Sequence, residues 1–282
     1  MTDLSVWLSA LVLLAALLVG IFVSPYARRM FDKDGGSSAS DFGYITAPLI
    51  AITTLALSFS LVTVWGSFHQ AAVTANKEAL AVDYQSDVAQ VLPDPQSRRD
   101  LEAALICYAR AIAGPEWQEM KQRGEATSDV VDPWTDYLQN KSGVLTNTPG
   151  GPAALARELT AADKERSEAR SQRLVQARTS LPRALLILLL FVAAAAVITL
   201  AFAHLPVRNR WLHVTALAVV TAVLVGLFAL IAELDSPFHG LIDNESTDMT
   251  RVATAEAADF AETYPGVALP CDESGRKLAT QP

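Results

Sequence analysis

The stretch ARELTAADKERSEARSQRLVQARTSLPR, residues 156–183, is densely charged, and the twenty residues after it, ALLILLLFVAAAAVITLAFA (184–203), carry no charge at all. A chain that changes so abruptly across Pro182 and Arg183 is a helix leaving water for a bilayer, because about 20 helical residues cross a hydrocarbon core. Three further apolar runs match that length. LSVWLSALVLLAALLVGIFV occupies residues 4–23, GYITAPLIAITTLALSFSLVTVW residues 43–65, and a last run covers about 213–232. The fold class this predicts is all-α: an integral membrane protein with four transmembrane helices in two antiparallel hairpins, separated by a helical extramembrane domain. The corresponding division is a first hairpin over 1–66, the helical domain over 67–181, a second hairpin over 182–235 and an acidic tail over 236–282.

Composition agrees with a membrane class, since 51% of the 282 residues are hydrophobic and only 18% are charged. Charge is unevenly placed. Residues 66–181 hold 13 Lys/Arg against 16 Asp/Glu, whereas residues 233–282 hold 3 against 10. A tail of net charge −7 excludes nucleic acid as a partner, because phosphate binding needs concentrated Lys and Arg. It reads as solvated.

The first run follows MTD, and its basic pair Arg28–Arg29 comes after it, so it reads as a retained anchor rather than a cleaved leader. The Gly/Ser-rich DKDGGSSASDFG links it to the second, where Pro48 falls in the first turn and Trp65 at the interface. Between the hairpins the period is helical. HQAAVTANKEALAVDYQSDVAQVL sets Val73, Leu80, Tyr84, Val88 and Val91 near one face, and a second helix runs from Ser97 to Ala113, where Gly114 and Pro115 stop it. Shorter pieces follow around 116–123 and 128–140, then the turn-rich TNTPGGP. The alanines Ala193–Ala196 either allow close helix approach or fill space.

Four spans place both termini and the domain on one side. The short loops hold Arg28, Arg29, Lys33, Arg208 and Arg210, while Arg173, Arg178 and Arg183 lie on the domain side. Short loops obey the positive-inside bias better than long domains do, so the domain and termini are expected outside the cytoplasm, in a multi-pass protein of the cell membrane. There Cys107 and Cys271 can pair; the alternative is two unrelated buried thiols.

Arg166, Arg170 and Arg173 share a helix face that begins apolar at Leu155, Leu159 and Ala162. Such a face either forms salt pairs, with Asp83 and Asp87 as candidate partners, or attracts anions. Asp243, Glu245 and Asp248 lack the glycine and closing glutamate of a calcium loop. His69, His204, His213 and His239 form no ligand pattern, so no metal and no cofactor is expected. There is no nucleophile elbow, phosphate loop or dinucleotide fingerprint, and the spans carry no charge in their middles, which disfavours an enzyme and a proton-coupled transporter.

EAL at 78–80, RRDLEAALICYARAIAGPEW ending at Glu116–Trp117, RLVQARTSLP at 173–182 and LDSPFHGLI at 234–242 resemble the bestrophin-like four-span membrane family. The resemblance covers roughly residues 60–245 and implies a homo-oligomer that conducts anions, since bestrophins are pentameric anion channels with a cytosolic domain. An apolar neck and a calcium clasp have no counterpart among these residues. The other reading is a non-catalytic accessory or scaffolding subunit whose domain and tail bind another membrane protein. In either case the partners are the lipid bilayer and a protein, itself or another.

Overall fold

The computed structural model describes residues 2–31, 38–126, 129–146, 153–178, 181–202 and 210–278. They form nine α-helices: α1 (Thr2–Phe31), α2 (Ser38–Gln90), α3 (Pro95–Ala111), α4 (Trp117–Arg123), α5 (Asp132–Thr146), α6 (Ala153–Gln176), α7 (Arg183–Phe202), α8 (Arg210–Leu234) and α9 (Thr247–Thr263). The only extended pairing among these residues is an isolated antiparallel bridge between Cys271 and Lys277. The chain divides into two compact units, residues 1–67 with 179–235 and residues 68–178 with 236–282.

Among the described residues of the first unit three helices are long and apolar enough to cross a membrane: the amino-terminal part of α2, α7 and α8. The apolar stretch of α1 whose side chains are described, Trp7–Val23, is shorter. The principal neighbours of α1 are α7 and α8 rather than the α2 that follows it. Small side chains explain the close approach. A β-carbon on Gly20 would stand 2.6 Å from that of Ala201, and Ala16, Leu17, Val197, Ala201 and Leu217 close the cluster. Ala193 and Ala196 are buried, which favours close approach over filler for the alanine run. Hydroxyls in these helices bond back to their own turns, Thr53 Oγ1 donating to Leu49 O at 2.7 Å and Thr221 Oγ1 to Leu217 O at 2.9 Å. They add no unsatisfied group to an apolar segment.

Three sequence expectations are corrected here. Pro48 lies well inside α2, which begins at Ser38, so the missing amide falls in the helix interior rather than the first turn. Gly114 and Pro115 do not end the second domain helix. The backbone widens into a π turn over Ile112–Glu116, which absorbs the proline, and continues into α4 until Gly124 adopts a left-handed conformation. The tail, expected to be solvated, is instead folded onto the domain, as described below. The first half of the linker (32–37), the turn-rich segment after Thr146 (147–152) and the loop 203–209, with His204, Lys33 and Arg208, lie outside the described residues.

The second unit has its core around α3, whose Leu101, Ala104, Leu105 and Tyr108 are fully buried, as is Ile112 at the start of the π turn. Asp94 caps α3, its carboxylate accepting the Ser97 amide at 2.9 Å. The inward face of α2 is only in part the expected one: Val88 is buried and Val73 half-buried. Leu80, Tyr84 and Val91 are exposed, while Ala71, Thr74, Glu78, Val82 and Gln85 are buried. That face is small and polar because it meets charged partners, which leaves the bulkier apolar residues on the outer side.

Helix α9 of the tail buries Met249, Val252, Ala253 and Phe260, the first three in the same core as α3. Apolar burial of this kind cannot come from a solvated extension. Beyond α9, Cys271 is disulfide-bonded to Cys107, with α-carbons 5.8 Å apart. Trp134 Nε1 donates to Gly275 O at 2.7 Å, and Gly275 holds φ +76° against α3, where a β-carbon would run into the Ala111 backbone.

Candidate functional site

The second unit contains a buried network of arginines and carboxylates. Helix α6 supplies the cations at i, i+4 and i+7, and on a 3.6-residue helix that spacing turns all three toward the same neighbours. Arg173 is fully buried. Its Nε donates to Glu78 Oε2 of α2 at 2.5 Å, and its Nη2 donates to Glu116 Oε1 at the end of the π turn. Arg170 Nη2 donates to the other Glu116 oxygen at 2.8 Å and reaches Asp132 at 3.4 Å. Arg166, also fully buried, donates from Nη2 to Asp163 at 2.7 Å and from Nε to Gln85 at 2.8 Å.

Aromatic rings close the network. Tyr108 donates its hydroxyl hydrogen to Glu78 Oε1 at 2.6 Å, and the Arg166 guanidinium lies 4.5 Å from the Tyr108 ring centre. The Arg173 guanidinium stands 5.4 Å from the Trp117 ring, whose other contacts are an edge-on Phe238 at 5.2 Å and a hydrogen bond to Asn244 O at 3.0 Å. Burial presses the Glu116 carboxyl toward its neutral form, but Arg173 and Arg170 outweigh that and hold it below the usual carboxylate range. Burial and the negative charge of Glu78 push the Tyr108 hydroxyl well up, so it stays a donor.

The sequence-designated residues therefore separate. Arg166, Arg170 and Arg173 come together, but Asp83 and Asp87 are not their partners. Both aspartates are exposed on the other side of α2 from Glu78 and Gln85, where they add negative potential around Glu256 of α9. Helical phase is the reason: Asp83 is five residues and Asp87 nine residues beyond Glu78, and neither spacing returns to its face. The carboxylates that serve, Glu78, Glu116 and Asp163, were not singled out. One signal could have found them. Glu78 and Glu116 both lie inside the segments that carry the family resemblance, where a glutamate among apolar neighbours marks a buried pair.

In the tail, Asp243 pairs with Lys121 at 2.8 Å and Asp248 accepts from Asn76 at 2.9 Å. His239 is bonded to the Lys121 carbonyl. Among the described residues no group of three or more His, Cys, Asp or Glu is arranged to hold a metal ion.

The four quoted segments converge on this one place. EAL contributes Glu78, GPEW contributes Glu116 and Trp117, RLVQARTSLP contributes Arg173, and SPFHG contributes Phe238. The profile of the Bestrophin-like domain matches residues 10–245. The chain belongs to the Bestrophin-like family. Solved structures agree on the fold. A point mutant of a bacterial bestrophin homologue from Klebsiella pneumoniae is 13% identical at a TM-score of 0.65, over 89% of this chain and 98% of that one. The same homologue phased from zinc gives a TM-score of 0.63 at 13% identity, over 94% of this chain and 100% of that one. No curated protein matches the chain. The Bestrophin-like architecture and its apolar helices make this a membrane protein.

Proposed function

We propose that this Bestrophin-like chain assembles with copies of itself into a membrane pore for ions, most readily anions. The carrying observation is the bestrophin fold over nearly the whole chain, with helices apolar enough to cross a membrane. In this reading α1 is a fourth span beside α2, α7 and α8, and the two spans belonging to α2 and α8 are the candidate wall. The arginines of α6 do not supply free positive charge, since Glu78, Glu116 and Asp163 meet them. Their role in the pore is to hold α2, the π turn and α6 in one arrangement. The test is reconstitution of the purified protein in planar bilayers with chloride gradients. Conductance with an anion-selective reversal potential is the expected result, and none above empty bilayers under varied pH and calcium refutes it.

The neutralised arginine face favours a second reading, a non-catalytic accessory subunit whose domain is structural. Native mass determination after gentle solubilisation separates them: a ring of identical chains supports the pore, and a stoichiometric complex with another membrane protein supports the subunit.

We further propose that the second unit and both termini face an oxidising compartment outside the cytoplasm. Support comes from the Cys107–Cys271 disulfide, because glutathione keeps cytosolic thiols reduced. This is the opposite of the cytosolic domain that the bestrophin resemblance implies. Protease protection of the domain in right-side-out vesicles would overturn it.

A further inference from the structure

On the face of α6 turned toward α5, away from Glu78, there is a cleft of about 420 Å³. Three arginines line it, Arg166, Arg170 and Arg178, with hydroxyl and amide side chains from Ser167, Thr135 and Gln139, and no carboxylate is among the lining residues. Two buried polar atoms there have no hydrogen-bond partner, Nη1 of Arg166 and Oγ of Ser167. Arg166 is fully buried with the Tyr108 hydroxyl near its guanidinium, and Nη1 is left as a desolvated donor with no well-formed hydrogen bond, which folded proteins rarely tolerate. Arg178, exposed at the rim, forms no ion pair among the described residues.

We propose that this cleft binds a small oxyanion, a carboxylate or phosphate group. Arg166 Nη1 and Ser167 Oγ donate to it at the floor, and Arg178 closes over it from the rim. The donor set suits this class. The Arg178 guanidinium presents a fork that matches the paired oxygens of a carboxylate or phosphate, whereas a halide offers one centre. Asp163, Glu116 and Asp132 already engage Nη2 of Arg166 and of Arg170, so Arg166 Nη1, Ser167 Oγ and Arg178, not net positive charge, provide the recognition. The test of this site needs no conductance.

The experiment is thermal unfolding and calorimetric titration of the full chain in detergent, with inorganic phosphate against chloride at matched ionic strength. Phosphate is expected to raise the melting temperature and to bind in the millimolar range or tighter. Arg178→Gln and Ser167→Ala, both at positions where folding is not at stake, are expected to weaken binding about tenfold or more each. Arg123→Gln, on α4 and outside the cleft, should bind as the parent does. No binding at about 10 mM, equal effects of phosphate and chloride, or unchanged binding in both cleft variants each overturns the proposal.

Discussion

Replacing Arg173 by methionine removes a cation that is fully buried between two carboxylates, and the cost follows from what it leaves behind. Glu78 keeps one neutral partner, Tyr108, and Glu116 keeps Arg170. Breaking a buried pair costs about 3–5 kcal/mol, mostly through the stranded charge, and with zero exposure on both sides no solvent screening reduces it. At 1.36 kcal/mol per factor of ten, this shifts the folding equilibrium roughly 150- to 5,000-fold. The penalty depends on pH. In the parent, the lowered Glu116 gives stability that is present above the ordinary carboxylate value of 4.5 and lost as pH falls through its lower folded value. Without Arg173, burial makes Glu116 take up a proton more readily, so the variant loses less than the parent in acid. Urea unfolding in detergent, followed by tryptophan fluorescence because Trp117 lies against Arg173, should show a wide gap at pH 7 that narrows toward pH 4. Lys164→Ala, which breaks an exposed pair to Glu168, should cost about 0.5 kcal/mol or less in the same assay. A gap for Arg173→Met under about 1 kcal/mol, or one independent of pH, refutes the reasoning.

Three further outcomes are expected. Reducing the Cys107–Cys271 bond, which closes a span of 164 residues, lowers stability by about 2–5 kcal/mol, read as a drop in melting temperature on adding reductant. Gly275→Ala drives a β-carbon into the α3 backbone at positive φ and costs about 1–3 kcal/mol, seen as faster tryptic cleavage at Arg276 and Lys277. Burial, with Asp83, Asp259 and Asp87 nearby, raises the Glu256 carboxyl, so its contribution is present in acid and lost as pH rises through the folded value. Glu256→Gln is therefore more stable than the parent at pH 7 and indistinguishable from it near pH 4, and the reverse order in thermal unfolding contradicts this.

Long apolar runs were legible because the bilayer imposes a length, and α7 and α8 fall within about three residues of the expected bounds at every end. The inward turn of the α6 arginines was legible from phase alone, as Leu159, Ala162, Arg166 and Arg173 are buried together. Their partners were not, because Glu78 and Glu116 lie 95 and 57 residues away from Arg173 and no local rule connects them. Bulk misled the reading of α2. Leu80 and Tyr84 look like core, but the buried positions Thr53, Leu57, Ser60, Val64, Ala71, Thr74, Glu78, Val82 and Gln85 follow each other by threes, fours and sevens, so the phase set in the apolar segment continues into the polar one. Asp83 and Asp87 fall off that line. The π turn escaped notice because Gly-Pro signals a stop, and only the surrounding core makes a widened turn cheaper than ending the helix.

The second unit is assembled from two separate lengths of chain, 68–178 and 236–278, and a consequence concerns its birth on the ribosome. When α6 has been made, the core around α3 still lacks Phe238, Met249, Val252 and Cys271, which come only after α7 and α8. Leu105, Tyr108 and Trp117 must wait, incompletely covered, while two apolar helices are threaded into lipid. Insertion of the last span is thus a precondition for closing the domain, and a chain that stalls in the membrane presents a sticky, half-built domain to quality control.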